Sequence, residues 1–233
     1  MSYRFEVLDF VTTPIGVVDL RRRALLGRDG EPVLQVHVDG YLLMSSANTL
    51  SERALATSAL AAHEAPSGPL DVLVGGLGLG YTAHAALQDR RVARVLVLDL
   101  LPVVACWMRD GRLPLSEELN ADPRLAIEEG DVYSRLLGPA IRRHDLLLID
   151  VDHAPKDPLH ASSAAFYTAE GQRRVMQHLA PGGVLGVWSA EDDEPFARVL
   201  GAVYPWARRE RIRWSDESLG AREDVLFLAG RAG

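Results

Sequence analysis

The chain has 233 residues, of which 48% are hydrophobic and 24% are charged, as in an ordinary globular protein. Its 32 acidic and 25 basic residues give a formal charge of -7, which argues against a nucleic-acid partner and against binding to an anionic membrane. The single cysteine, Cys106, cannot form an intramolecular disulfide, and the first residues lack the apolar core of a signal peptide. We therefore expect a cytoplasmic protein.

The first third of the chain predicts a small β domain. Three segments, 4–10, 15–20 and 32–44, carry alternating or β-branched apolar residues and are separated by turn signals, which predicts an antiparallel sheet. A helix with an apolar stripe is predicted over 50–63. Proline and glycine then interrupt the chain at 66–69. We place a domain boundary there, with a β domain carrying one helix over 1–65 and a second domain over 66–233.

The second domain alternates buried apolar strands with helices, which predicts an α/β fold with a mostly parallel sheet of Rossmann type. The predicted strands are 72–74, 92–98, 125–127, 146–149 and 184–188. The predicted helices are 81–87, 102–109, 132–143, 164–179 and 194–203. Two last strands, 207–214 and 225–229, are predicted to complete seven strands as an antiparallel pair.

A glycine-rich turn follows the first of these strands. Gly76, Gly78 and Gly80 lie between that strand and the next helix, where glycine permits a tight turn and the helix N-terminus offers free N–H groups. The spacing of these three glycines is typical of S-adenosylmethionine sites. The series from Gly78 through Gly80 to Ala83 also satisfies the dinucleotide fingerprint. These residues alone leave both ligands open.

Acidic residues end the next two strands. Asp99 lies about 20 residues after the glycines, where a carboxylate can bind both hydroxyls of a ribose. Asp131 follows Gly130 and precedes a helix, so that its carboxylate can accept a hydrogen bond from an adenine amino group or cap the helix.

The fourth strand of the second domain ends in a cluster of titratable residues. Asp150, Asp152 and His153 follow this strand, at the sheet edge where ligands of open α/β folds bind. Carboxylates here can hold a cationic amine, accept its proton and favour a sulfonium group. We assign these three residues as catalytic. Their spacing matches no recognised set of metal ligands, and we predict no metal site.

Taken in order, these motifs resemble the spermidine synthase, or polyamine aminopropyltransferase, family. The resemblance implies a class I methyltransferase fold, and it favours an adenosylmethionine-type ligand over a dinucleotide. It assigns Gly76, Gly78 and Gly80 to the cofactor loop, Asp99 to ribose, Asp131 to adenine and Asp150 to the catalytic aspartate. It also assigns Asp39 and Glu52 to the acceptor substrate and implies a homodimer.

The sequence departs from the family at positions that bind amines. Leu79 stands in the glycine turn where the family has an aspartate that faces the aminopropyl amine. On the predicted substrate helix only Glu52 remains of the family's polar set, and Val151 and Asp152 replace the serines after the catalytic aspartate. Putrescine is therefore predicted to bind poorly, because an ammonium group in an apolar site is costly when unpaired.

We therefore expect an S-adenosylmethionine-dependent transferase that delivers a methyl group to a small acceptor such as an amine. Without an acidic residue at Leu79, the carboxylate of intact S-adenosylmethionine is admissible. One alternative is an aminopropyltransferase that uses decarboxylated S-adenosylmethionine on an atypical amine, with Asp150, Asp152 and Glu52 as its amine contacts. Another is a non-catalytic protein that binds an adenosyl ligand.

Overall fold

The computed structural model describes residues 3–13, 15–25, 32–63, 68–156, 161–216 and 220–233. Its first four strands form an antiparallel sheet in the order β1-β2-β3-β4. They are β1 (Tyr3–Thr13), β2 (Gly16–Leu25), β3 (Val33–Val38) and β4 (Tyr41–Ser45). The segment 32–44, predicted as one strand, is a hairpin, because Asp39 (φ 49°) and Gly40 (φ 83°) adopt left-handed conformations and reverse the chain.

Helix α1 (Leu50–Ala62) joins the small sheet to the rest of the molecule. A Cβ at Gly186 would lie 2.9 Å from Leu55 of α1, so this helix packs closely on the larger sheet. Val18 and Leu20 of β2 belong to the same buried hydrophobic cluster as Leu55. The two sheets therefore share a core, while the predicted boundary at 65/66 lies outside the described residues.

The larger sheet has seven strands in the order β10-β11-β9-β8-β5-β6-β7. They are β5 (Leu70–Gly75), β6 (Val92–Asp99), β7 (Leu125–Glu129), β8 (His144–Ile149), β9 (Leu179–Ser189), β10 (Trp206–Asp216) and β11 (Gly220–Gly230). β11 runs antiparallel to both of its neighbours, β9 and β10, as the sequence predicts for the final strand, and the other neighbouring strands pair in parallel. The chain moves outward from β5 through β6 to β7 and then returns to β8 on the other side of β5. The ligand crevice of such a sheet opens at this reversal, beyond the carboxyl ends of β5 and β8.

Helices cover both faces of this sheet. They are α2 (Tyr81–Leu87), α3 (Pro102–Arg109), α4 (Ser116–Ala121), α5 (Val132–Leu137), a 3-10 helix (Ala161–Tyr167), α6 (Ala169–Gln177) and α7 (Glu194–Val203). None of the helices within the described ranges is long and apolar enough to cross a membrane.

Two helical predictions need correction, and one helix was not predicted. The sequence did not indicate α4, and the helix predicted over 132–143 ends at Leu137, ahead of Gly138 and Pro139. The helix predicted over 164–179 is a 3-10 helix followed by α6. Thr168 separates these two, because its hydroxyl accepts a hydrogen bond from the Gly171 N–H and starts α6 anew.

Candidate active site

The glycine turn after β5 is fixed by the acidic residue at the end of β6. Asp99 is 8% exposed, and its two carboxylate oxygens accept hydrogen bonds of 2.7 Å from the N–H groups of Leu77 and Leu101. Burial raises the pKa of Asp99, and hydrogen bonds from the N–H groups of Leu101, Leu77 and Gly78 oppose that rise. The residue predicted to bind ribose therefore also holds the turn in place.

The three glycines of this turn have different structural roles. All three have positive φ, at 89° for Gly76, 53° for Gly78 and 94° for Gly80. A Cβ at Gly76 would lie 2.3 Å from the Asp150 carbonyl oxygen, and one at Gly80 would lie 2.5 Å from Leu119. At Gly78 the nearest atom would be Met44 Sδ, 3.8 Å away. Gly78 is thus the position at which the turn leaves room for a ligand.

Asp150 adjoins this turn. Its backbone N–H donates to the Gly75 carbonyl, 2.9 Å away. Its side chain accepts a 2.7 Å hydrogen bond from the hydroxyl of Thr82, in the first turn of α2. The Thr82 hydroxyl is also 3.2 Å from the backbone oxygen of Glu52, so it links β8 and α1 at this point.

Two further carboxylates belong to the same neighbourhood. Ser51, in the first turn of α1, donates a 2.6 Å hydrogen bond to Asp224 Oδ2, and its hydroxyl is 3.3 Å from Glu52 Oε2. The indole N–H of Trp214 donates to the same Asp224 oxygen at 2.8 Å. We call Glu52, Asp150 and Asp224 the acidic cluster.

The pKa values of the acidic cluster are raised by burial and by mutual repulsion. Burial, together with the nearby Asp150 and Asp224, raises the pKa of Glu52 to about 7. Burial and Asp224 raise the pKa of Asp150 to about 6, against the lowering effect of the Thr82 hydrogen bond. Burial also raises the pKa of Asp224, opposed by its two hydrogen bonds and by His153. In the described part of the chain, no arginine or lysine lies within 4.0 Å of these carboxylates.

Asp152 has different partners from Asp150. It is 3% exposed, and its Oδ2 accepts hydrogen bonds from the hydroxyls of Tyr133, at 2.7 Å, and Tyr167, at 2.8 Å. Burial is the main cause of the raised pKa of both tyrosines, and Asp152 adds to it. This arrangement anchors the segment after β8 to α5 and to the 3-10 helix.

The other predicted site residues are placed as follows. His153 is exposed, and its imidazole favours the ionised form of Asp224. Asp131 caps α5, accepting hydrogen bonds from the Tyr133 N–H at 2.9 Å and the Ser134 hydroxyl at 2.6 Å. Asp39 is exposed in the β3–β4 turn, where its Oδ1 accepts a 2.8 Å hydrogen bond from the Val17 N–H.

The structure thus brings Asp150, Glu52 and the glycine turn together, and it adds residues that the sequence did not reveal. Asp224, Ser51, Thr82 and the two tyrosines were not predicted to take part. Asp224 has one signal in the sequence, which is its position directly before the apolar run Val225–Ala229. That run is buried, so a strand containing Asp224 leads into the core.

A glycine turn at the chain reversal, with acidic residues ending β6 and following β8, defines a class I methyltransferase-like fold.

No family model matches the chain. Two curated proteins are similar to it. Polyamine aminopropyltransferase of Oceanobacillus iheyensis is 26% identical over 190 residues, which are 80% of this chain and 36% of that protein. Polyamine aminopropyltransferase 2 of Pseudomonas aeruginosa is 30% identical over 178 residues, which are 72% of this chain and 48% of that protein.

Solved structures agree in fold. Spermidine synthase in complex with the transition-state analogue AdoDATO superposes with a TM-score of 0.76 and 18% identity, covering 97% of this chain and 74% of that one. Spermidine synthase from Thermotoga maritima gives a TM-score of 0.73 and 18% identity, with 97% and 72% coverage. The matches confirm the resemblance seen in the sequence: the protein is spermidine synthase-like. The chain spans less than half the length of the two curated relatives.

Proposed function

We propose that this protein is an aminopropyltransferase that moves the aminopropyl group of decarboxylated S-adenosylmethionine onto an amine. The acidic cluster is the observation that carries this proposal. The pKa values of its three carboxylates are raised, and no arginine or lysine lies beside them in the described chain. A cationic ligand would supply the missing positive charge. The names of the curated relatives support the same activity and give no support to the expected methyl transfer.

The glycine turn and its neighbours fit an adenosyl ligand. Gly78 leaves space beside Met44, and the turn leads into the N-terminus of α2. The hydrogen bonds of Asp99 to backbone N–H groups leave lone pairs on a carboxylate that has about four acceptor positions, which is compatible with a ribose hydroxyl. Asp131, at the start of α5, is the candidate for the adenine amino group.

Asp150 is the candidate base. The bound sulfonium compound supplies an electrophilic carbon and a neutral thioether as leaving group. The acceptor nitrogen forms a bond to that carbon, the carbon–sulfur bond breaks, and its electron pair stays on sulfur in methylthioadenosine. The nitrogen loses a proton, which Asp150 accepts. Because its pKa is about 6, Asp150 is mostly ionised at neutral pH and can accept a proton. The pKa is also close enough to neutral pH for Asp150 to release that proton again.

The acidic cluster also bears on the choice of cofactor. The carboxylate of intact S-adenosylmethionine would add a negative charge near side chains whose pKa values are already raised by like charges. Decarboxylation removes that charge and keeps the ammonium group. In this proposal the carboxylates on α1, on β11 and directly after β8 supply the negative charge that is missing at Leu79.

The experiment is a product assay with both cofactor forms. The protein is incubated with decarboxylated S-adenosylmethionine and a panel of amines, and with the intact form in parallel. We expect amine-dependent methylthioadenosine, reduced about 100-fold or more in Asp150→Asn. S-adenosylhomocysteine from the intact form, with no methylthioadenosine, would replace this proposal by methyl transfer. Thermal stabilisation by nucleosides without any turnover would point to a non-catalytic binding protein.

A further inference from the structure

We propose that Tyr133 is a positioning residue that holds the carboxylate of Asp131 in place for adenine and ties it to the segment that carries Asp150. This role rests on the proposed function, because it concerns how the adenosyl cofactor is held. Tyr133 is the second residue of α5, which begins directly after Asp131. The sequence alone assigns no role to Tyr133, since only the folded chain shows its contacts.

Tyr133 contacts one carboxylate through its backbone and another through its side chain. Its N–H group donates a 2.9 Å hydrogen bond to Asp131 Oδ1. Its hydroxyl donates a 2.7 Å hydrogen bond to Oδ2 of Asp152, which lies two residues after Asp150. Tyr133 is 4% exposed, and burial raises the pKa of its hydroxyl, which therefore remains a donor at neutral pH. One residue thus joins the start of α5 to the segment after β8.

These two segments also pack closely beside the glycine turn. A Cβ at Gly75, the last residue of β5, would lie 2.7 Å from Val132 Cγ1 of α5. A Cβ at Gly76 would lie 2.3 Å from the Asp150 carbonyl oxygen and 3.3 Å from Val151 Cγ2. Because the two segments touch adjacent glycines, a displacement of one segment relative to the other changes the crevice at the turn.

The first turn of α5 depends on such an anchor because the helix is short. It has six residues, and a helix of that length is not stable by itself. The Tyr133 ring packs edge-on against Phe166, with ring centroids 5.0 Å apart. The ring is therefore held by Phe166 and, through its hydroxyl, by Asp152. The backbone of Tyr133, and the Asp131 carboxylate bound to it, are held with the ring.

Tyr167 offers a matched comparison within the same network. Its hydroxyl donates a 2.8 Å hydrogen bond to the same oxygen of Asp152 and lies 3.2 Å from the Tyr133 hydroxyl. Burial raises the pKa of Tyr167 as well. Tyr167, however, ends the 3-10 helix and not the loop that carries Asp131. Loss of either hydroxyl removes one donor from Asp152, but only the loss at Tyr133 releases the start of α5.

The test measures the binding of methylthioadenosine and methylthioinosine by calorimetry. Methylthioinosine carries an oxo group in place of the adenine amino group, so it lacks the donor proposed to face Asp131. For the wild type we expect methylthioadenosine to bind at least about 10-fold more tightly, the scale of one charged hydrogen bond. Tyr133→Phe should reduce this ratio to about 3-fold or less by weakening the binding of methylthioadenosine. Tyr167→Phe is the matched control and should keep the wild-type ratio.

Steady-state kinetics separate positioning from a general loss of structure. Tyr133→Phe should raise the KM of decarboxylated S-adenosylmethionine by the factor by which it weakens methylthioadenosine binding, with kcat changed less than about 3-fold. In the background of Asp131→Asn, which removes the charge that Tyr133 positions, Tyr133→Phe should have no further effect on binding. Additive losses in the double variant would contradict the proposed coupling.

If Tyr133→Phe does not fold, Asp152→Asn weakens the same anchor and should lower the ratio in the same direction. A folded Tyr133→Phe protein that keeps the wild-type ratio overturns this role and leaves the proposed function intact. Equal losses in Tyr133→Phe and Tyr167→Phe, or a wild type that binds both nucleosides equally, have the same consequence. A wild-type protein that binds neither nucleoside overturns the proposed function, and this role with it.

Discussion

The hydroxyl of Thr82 donates a 2.7 Å hydrogen bond to the carboxylate of Asp150. Thr82 lies two residues after the last glycine of the turn, and Asp150 directly follows β8. The residue that fixes the base is thus part of the helix that begins at the cofactor turn. This contact couples the position and the ionisation of Asp150 to the turn.

Replacing Thr82 should change the pH dependence of the reaction. The Thr82 hydrogen bond lowers the pKa of Asp150, so Thr82→Val should raise that pKa above about 6. We expect the acidic limb of the kcat/KM profile to move upward by roughly one pH unit. Thr82→Ser, which keeps the hydroxyl, is the control. An acidic limb that stays in place in Thr82→Val would show that Asp150 is not the group titrating.

Asp152 and Asp150 should respond differently to the same substitution. Asp152→Asn disturbs a buried carboxylate that accepts two tyrosine hydroxyls, and we expect it to cost about 1–3 kcal/mol of stability, with a smaller loss of kcat. Asp150→Asn should reduce kcat with little loss of stability. Urea denaturation and steady-state kinetics measure both quantities. A loss of kcat in Asp152→Asn equal to that in Asp150→Asn, at unchanged stability, would support the catalytic assignment of Asp152.

The raised pKa of Glu52 predicts a pH-dependent stability. The folded protein keeps a proton on Glu52 up to about pH 7, whereas the ordinary value is 4.5. The free energy of unfolding should therefore fall as the pH rises between these values, because the folded state binds more protons there. Glu52→Gln should remove about 3 kcal/mol of this decline. Glu128→Gln, at an exposed position of β7, is the control, and equal pH slopes in the two variants would contradict the prediction.

We propose that the protein is a homodimer that associates through β1. This strand is at the edge of its sheet, and its side chains Phe5 and Phe10 are 65% and 68% exposed. Exposed aromatic residues on an unpaired edge favour association. Light scattering should give twice the chain mass of 25.5 kDa, and Phe5→Ser with Phe10→Ser should halve it. A wild-type monomer at micromolar concentration would contradict this proposal.

Strands β5, β6 and β8 were predictable because their central residues form apolar runs that end at, or directly before, glycine or aspartate. Helix α4 was not, since six residues with two glutamates and one asparagine carry too little apolar periodicity to be recognised. The hairpin at Asp39 was hidden because its short strands share one alternating pattern, and only the backbone conformation of the turn separates them.

The candidate site was predictable only where it follows strand ends. Asp99, Asp131 and Asp150 each end a strand or begin a helix, and local sequence marks such positions. Asp224 follows Arg222 and Glu223, so that it looks like part of a solvated charged segment. Its partner Ser51 is 173 residues away, and only the folded chain brings the two together.

Met44 lies on the last strand of the small sheet, and its Sδ is the atom nearest to the position that a Cβ of Gly78 would occupy. The amino-terminal sheet therefore lines part of the crevice beside the glycine turn. Changes in the first fifty residues can reshape the space above the turn while every strand of the larger sheet stays as it is.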